Sequence, residues 1–315
     1  MHILITGGAG FVGSHLAEAF VNDGARVTVL DNLSRGSLLN LAGCGRDLTC
    51  IEADIRDLRI TSAAMRGIDV VYHLAAVSRV VSADRDPDET FTTNVIGTYN
   101  VLQAAKATGV KKVIFTSSRE VYGEADSLPV NESGAIQPKN AYGASKAAGE
   151  AYCLAQNGAG YQTVVLRLSN VYGPRDFDRV IPTFLARALA RLPLVVFGGA
   201  QIIDFIEISV VVDALMKAIH IREVRSPINV ASGVPTTILE LARRLTIECQ
   251  SDSRVELTAA RCIEVTRFVG DVTRMRSVLG LEPPHDPLAG LPRLVAQERI
   301  ARAATKEHQT DTRRD

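Results

Sequence analysis

Short apolar runs alternate along the chain with stretches whose apolar residues recur every three or four positions. Residues 3–5, 27–30, 48–53, 70–74 and 113–116 are short and apolar or alternating, and read as strands. Between them, Leu16, Ala17 and Phe20 mark one helix. Phe91, Val95, Tyr99 and Leu102 mark one face of a second, over 84–106, and a third spans 142–157. Repeated strand–helix units predict an α/β fold, a doubly wound parallel sheet covered on both faces. Right-handed crossovers then gather ligands at the carboxyl ends of the strands. This character holds over 1–168. From 169 the loops lengthen, prolines are more frequent and strands shorten, which predicts a smaller, partly interleaved lobe over 169–301. Residues 302–315 read as a flexible tail.

The first strand runs into Thr6-Gly7-Gly8-Ala9-Gly10-Phe11-Val12-Gly13 and then into the first helix. In that order the glycines have physical roles: Gly7 makes the tight turn, Gly10 lets backbone approach a pyrophosphate, and Gly13 packs helix on strand. The helix N-terminus offers unpaired N–H groups and a partial positive charge to phosphate oxygens. The pattern is that of a Rossmann-type dinucleotide site. The second strand ends in Asp31, placed to grip an adenosine ribose 2′-hydroxyl and to repel a 2′-phosphate, which favours NAD over NADP. Arg35, in Asp31-Asn32-Leu33-Ser34-Arg35, softens that preference. Asp54 follows the third strand and either meets the adenine amino group or caps the helix from Asp57 onward. Ala75-Ala76 let the chain pass close to the cofactor. His73, inside an apolar run, reads as a core histidine, and Asn94 as a brace for active-site backbone.

Two further stretches carry chemistry. Thr116-Ser117-Ser118-Arg119-Glu120-Val121-Tyr122-Gly123 follows a strand, and Tyr142-Gly143-Ala144-Ser145-Lys146 opens a helix. Tyr142 and Lys146 are four apart and share a helical face. A phenol titrates near pH ~10, and an adjacent ammonium favours the phenolate. Tyr142 can then take a proton from a sugar hydroxyl while hydride leaves the same carbon. Lys146 holds the nicotinamide ribose, and Ser118 hydrogen-bonds the reacting oxygen.

On these motifs the chain resembles the extended short-chain dehydrogenase/reductases of the NAD-dependent epimerase/dehydratase family, with its nearest likeness to UDP-glucose 4-epimerase-like enzymes. Further matching stretches are His73-Leu74-Ala75-Ala76, Asn94-Val95-Ile96-Gly97-Thr98, Asn170-Val171-Tyr172-Gly173-Pro174-Arg175 and Asp204-Phe205-Ile206. The resemblance implies a catalytic set of Ser118, Tyr142 and Lys146. It implies NAD held by Gly7, Gly10, Phe11, Val12, Gly13, Asp31, Asn32, Ser34, Arg35, Asp54, Ile55, Leu74, Ala75, Ala76, Asn94, Thr116, Tyr142 and Lys146. It implies a nucleotide-diphosphate sugar, a UDP-sugar first, met by Ser78, Ser118, Arg119, Asn170, Arg175 and Arg261. Two departures bear on the substrate. Ile203 stands where the family has an arginine on the diphosphate, and a lost charged hydrogen bond costs about 1.5–3 kcal/mol. Arg119-Glu120 replaces the small or neutral residues of simple 4-epimerases. Glu120 matches the base of the 4,6-dehydratases, so a dehydratase or uronate decarboxylase is the alternative, as is a dehydrogenase on a non-nucleotide alcohol. Glu120 also reads as the partner of an ion pair with Arg119. The resemblance further implies a homodimer through the helices at 84–106 and 142–157, the second bearing Ala144, Ala147, Ala148 and Ala151.

Composition narrows the field. Lys plus Arg and Asp plus Glu are 35 each, so no net charge draws the chain to nucleic acid or an anionic membrane. Cys44, Cys50, Cys153, Cys249 and Cys262 are scattered, which fits a reducing compartment and offers no metal site. No basic leader or membrane-length apolar run is present, so a soluble, cytoplasmic enzyme is expected.

Overall fold

The computed structural model describes residues 1–223, 226–259 and 265–311, the side chains of 46 and 304–311 aside. The elements run β1 (His2–Thr6), α1 (Phe11–Asn22), β2 (Arg26–Asp31), β3 (Leu48–Glu52), α2 (Leu58–Ala64) and β4 (Val70–His73). Then follow α3 (Val80–Arg85), α4 (Pro87–Phe91), α5 (Gly97–Thr108), β5 (Lys112–Ser118), α6 (Ala141–Gln156), β6 (Gln162–Leu168) and β7 (Asn170–Tyr172). The rest comprises α7 (Val180–Leu189), β8 (Leu194–Phe197), β9 (Ile202–Glu207), α8 (Ile208–Ala218), β10 (Ile228–Val230) and β11 (Pro235–Thr237). It closes with α9 (Ile238–Glu248), β12 (Val255–Thr258), α10 (Thr273–Leu279) and α11 (Leu291–Asp311).

Seven parallel strands form the main sheet in the order β10-β6-β5-β4-β1-β2-β3. Its central strands are buried on both sides, as in Ile3-Leu4-Ile5 and Val113-Ile114-Phe115, which is why they read as continuous apolar runs. Leu16 and Phe20 of α1 meet Val211 and Leu215 of α8 and Met275 of α10 on one face. Val101 and Leu102 of α5 and Cys153 of α6 meet Phe115 and Val165 on the other. Strand order reverses between β1 and β4, and the crevice there is where such sheets bind ligands. A second core gathers Ile181, Phe184 and Leu185 of α7, Leu194 and Val196 of β8, and Leu241 and Leu245 of α9. The two parts interleave, because β10 returns to the edge of the main sheet beside β6.

One expectation is corrected. The helix expected over 84–106 is three pieces. Asp86 caps α4 and Pro87, which has no N–H to continue α3, opens it. A π-helical turn, Thr92–Ile96, then joins α4 to α5. Val95 and Leu102 are consequently buried while Phe91 and Tyr99 are exposed, so the four do not share one face. At the other end, α11 continues to Asp311. His73 is a core histidine: its ring nitrogens meet Thr6 Oγ1 at 2.7 Å and Thr98 Oγ1 at 2.9 Å. Burial pushes it down to about 3, so it is neutral at physiological pH. Among the described residues no helix is long and apolar enough to cross a membrane, and no His, Cys, Asp and Glu cluster is disposed to hold a metal.

Helix α6 is fixed to the sheet by a buried ion pair. Arg167 of β6 donates to both Glu150 carboxylate oxygens, at 2.9 and 2.7 Å. It also donates to the Glu132 carbonyl and lies 4.7 Å over the Tyr122 ring. Removing one member of such a pair leaves an uncompensated buried charge. Arg167→Met is therefore expected to cost about 3–5 kcal/mol in urea denaturation. Adding Glu150→Leu is expected to restore most of the loss, since apolar replacement of both partners is near neutral.

Candidate active site

A cavity of about 590 Å³ opens along the carboxyl edge of the main sheet and continues under α7, β8 and β9. Its floor is the glycine turn. Gly7 has φ +71°, and a side chain there would meet the Ala75 backbone at 2.7 Å. A Cβ at Gly13 would lie 2.2 Å from the Gly7 carbonyl oxygen. Gly10 has only that carbonyl nearby, at 3.2 Å, leaving the turn open to a ligand. The turn is therefore closed against side chains within the protein and bare toward the cavity, the shape a pyrophosphate over the α1 N-terminus requires.

Gly7, Gly10, Phe11, Val12, Gly13, Asp31, Asn32, Ser34, Arg35, Asp54, Ile55, Leu74, Ala75, Ala76, Ser78 and Thr116 all line this cavity. Asp31 is held by the Ala9 N–H at 3.0 Å and the Leu33 N–H at 2.8 Å, which fixes its carboxylate at the end of β2. Asp54 does not cap α2; Asp57 does, accepting the Ile60 N–H. Asp54 instead takes Arg56 in a two-pronged contact and Asn32 Nδ2 at 3.0 Å, and these bonds hold its carboxyl at about 2. Asn94 is absent from the cavity lining. Its amide clamps both polar groups of the Val77 backbone and donates to Ser145 Oγ at 2.9 Å, the bracing role read from the sequence.

Arg35 is not free for a 2′-phosphate. It donates to both oxygens of Asp178 at 3.0 Å and stacks 5.0 Å over the Phe177 ring. Arg79 reaches the same carboxylate from the loop after β4, at 2.6 Å. The segment before α7 is thus strapped across the cleft, with Asp178 joined to both rims. The sequence carries no local sign of this, since the partners are 143 and 99 residues apart.

The catalytic wall comes from two elements. Ser118 ends β5, and Tyr142 and Lys146 stand on the first turns of α6; all three line the cavity. The Ser118 hydroxyl is a near neighbour of the Tyr142 phenol. Burial pushes the phenol up, the Ser118 hydroxyl and the Arg179 and Arg119 charges pull it down, and the Glu120 charge pushes it up; the balance is upward. Lys146 Nζ is buried, donates to the Thr116 carbonyl at 2.9 Å and lies 4.8 Å from the centre of the Phe115 ring. Burial lowers it to about 8, so it remains mostly cationic at pH 7. Glu120 is buried with both oxygens engaged. Arg119 Nη2 lies 2.8 Å from Oε1, and Asn140 Nδ2 donates to Oε2 at 2.8 Å.

Toward the second core the lining changes. Asn170 lines the cavity and accepts from Arg119 Nε. Ile203 lines it too, with Val195, Phe197, Ile238 and Val265 making an apolar end. Arg175 is outside the lining; it pairs with Glu18 of α1 at 2.7 Å and meets Ser14 Oγ. Arg261 falls outside the described residues. Arg179, which the sequence did not single out, lines the cavity at the start of α7. Asp176 holds it at 2.9 Å and its guanidinium lies 5.8 Å from the Phe11 ring centre, beside the glycine turn. Its only signal in the sequence is a cation immediately before a helix.

Comparison with known proteins agrees with this geometry. The family model described as the NAD dependent epimerase/dehydratase family matches residues 3–231. The chain is 34% identical to the UDP-glucose 4-epimerase of Mycolicibacterium smegmatis, over 90% of this chain and 94% of the relative. The solved UDP-glucose 4-epimerase of Thermotoga maritima, with UDP-glucose, superposes with a TM-score of 0.90 at 32% identity, covering 96% and 99% of the two chains. A dTDP-glucose 4,6-dehydratase of Streptomyces venezuelae, solved with NAD, gives 0.91 at 30% identity, covering 96% and 98%. The chain belongs to the NAD dependent epimerase/dehydratase family, and NAD is the dinucleotide for which its cleft is shaped.

Proposed function

We propose that this enzyme is a nucleotide-sugar 4-epimerase, acting on a UDP-hexose through a transient 4-keto sugar. The observation that carries the reading is the pairing of a complete Ser118, Tyr142 and Lys146 wall with a Glu120 carboxylate already tied on both oxygens. The dehydratase alternative needs a free base beside the reacting sugar, and both Glu120 oxygens are engaged. Tyr142 Oη takes the proton of the sugar 4-hydroxyl and later returns it, while Ser118 holds the same oxygen. NAD, held over the glycine turn by the residues that line the cleft, would supply a reversible hydride acceptor for carbon 4 and a positive charge that favours the phenolate. Lys146, anchored on the Thr116 carbonyl, keeps its ammonium beneath the α6 face that bears Tyr142.

The diphosphate needs cations that Ile203 does not provide. Arg179 and Asn170, which line the same cavity, are the groups assigned to it here, and the apolar end around Val195 and Phe197 is assigned to the nucleobase. The Asp178 strap retains the dinucleotide through the cycle, as an isomerase that ends each turnover with its cofactor oxidised requires. Dimerisation would use the outer face of α5 and α6. Phe91, Ile96, Tyr99 and Tyr152 are all exposed there, and Tyr99 meets Tyr152 edge-on at 5.6 Å. Ala144 and Ala151 are exposed as well, whereas Ala147 turns inward onto the small core around Val121 and Tyr122.

Incubation with UDP-glucose, UDP-N-acetylglucosamine and UDP-glucuronate is expected to invert carbon 4 of at least one sugar with no change of product mass. A product lighter by water or carbon dioxide would overturn the reading. Tyr142→Phe is expected to lower kcat about 10²–10⁴-fold, the usual share of a positioned acid–base group, with NAD still bound. Asp178→Ala is expected to speed NAD release about 2- to 10-fold in stopped flow, because partly exposed ion pairs are worth about 0.2–1 kcal/mol each. Tyr99→Glu is expected to sediment as a monomer.

A further inference from the structure

Arg119 sits where nothing in the redox cycle requires a cation, yet it is buried at the wall of the active cavity. Its side chain and that of Glu120 are 9% and 6% exposed. Arg119 makes three directed contacts: Nη2 to Glu120 Oε1 at 2.8 Å, Nε to Asn170 Oδ1, and its guanidinium plane 5.8 Å from the Phe268 ring centre. Its remaining nitrogen, Nη1, is buried with no hydrogen-bond partner among the described residues, so no second carboxylate competes for it there. Glu120 is in turn fixed from the other side. Asn140 donates to Oε2 through Nδ2, while Asn140 Oδ1 accepts the Gly143 N–H as the N-cap of α6. The Glu120 N–H also points at Ser118 Oγ, at 3.2 Å. A continuous chain therefore runs from Asn170 through Arg119, Glu120 and Asn140 into the helix that carries Tyr142.

We propose that Arg119 is a positioning residue that sets the outcome of the reaction: by holding Glu120 in a buried ion pair, it denies the transient ketone a base at the neighbouring ring carbon. The inference rests on the 4-keto reading above and deepens it. A ketone at carbon 4 acidifies the hydrogen on carbon 5. A free carboxylate beside it would take that proton. The C–H pair would become the carbon 4–carbon 5 double bond of an enolate, with the charge on the ketone oxygen next to Ser118 and Tyr142. Return of a proton from the carboxylic acid restores the ketone, so the step is redox-neutral and needs no co-reactant. With Arg119 in place, both oxygens of the carboxylate are engaged, one by a guanidinium and one by an amide, and taking its proton-accepting oxygen out of the pair strands a buried charge.

The test uses the full-length enzyme with bound NAD in deuterium oxide, with whichever of UDP-glucose and UDP-N-acetylglucosamine it epimerises, and reads deuterium at carbon 5 of the recovered sugars by NMR. The wild type is expected to invert carbon 4 and keep its carbon 5 hydrogen. Arg119→Gln is expected to bring in deuterium at carbon 5 about tenfold faster or more, in keeping with the strength of a freed general base. Adding Glu120→Gln is expected to return the exchange to the wild-type level, which a merely structural role for Arg119 would not produce. Arg119→Lys keeps the charge without the fork and is expected to fall between; if Arg119→Gln does not fold, this variant decides. Epimerisation by the Arg119 variants without deuterium at carbon 5 would overturn the proposal and leave the epimerase reading standing. So would wild-type enzyme that epimerises and exchanges carbon 5 by itself. Wild-type enzyme that yields only dehydrated or decarboxylated sugar would overturn both.

Discussion

The contact on which the site depends is the close seating of α6 on β5. Lys146 buries its ammonium against the Thr116 carbonyl, and Gly149 leaves so little room that a Cβ there would meet Phe115 at 2.6 Å. A buried cation without a partner is costly, so this hydrogen bond fixes both the depth and the rotation of the helix. Tyr142, one turn earlier on the same face, is then directed at Ser118 on the end of the strand. Reacting groups from two elements meet because the helix cannot slide.

The N-terminus of that helix is fixed by a second constraint. Asn140 caps it and at the same time contacts Glu120, which ties the cap to the turn after β5. One turn beyond Lys146, Glu150 binds it to Arg167 of β6. Three polar attachments within sixteen residues hold a helix whose apolar packing alone would allow small shifts. Precise placement of reacting groups is where rate is gained, since small misplacement of a reacting pair is costly. The strap at Asp178 works on the other side of the cleft and on another scale. It is partly exposed and built of surface ion pairs, so it is suited to opening.

Local pattern was enough to read the strands, the glycine turn, and the four-residue spacing of Tyr142 and Lys146. Each of these depends on neighbours in the chain. The core role of His73, set by the apolar run around it, was legible for the same reason. What was not legible depends on distant partners or on backbone geometry. Arg175 was read toward the substrate, but Glu18, 157 residues away, claims it. Arg35 was read toward a 2′-phosphate, but Asp178 claims it. The π-helical turn that points Asn94 inward also splits the expected apolar face, and residue periodicity does not show such an insertion. Glu120 carried two readings from sequence, a base and an ion-pair partner, and its contacts with Arg119 and Asn140 come from residues the local pattern does not bring together.

The central proposal is that one cleft removes hydrogen from carbon 4 of a sugar and gives the same hydrogen back. Its most direct measurement follows a UDP-hexose labelled with deuterium at carbon 4 through many turnovers in ordinary water. The account predicts that the inverted sugar keeps its label at carbon 4, with none lost to solvent or to added free NAD. Label washed into the medium, or found on released NADH, would contradict it.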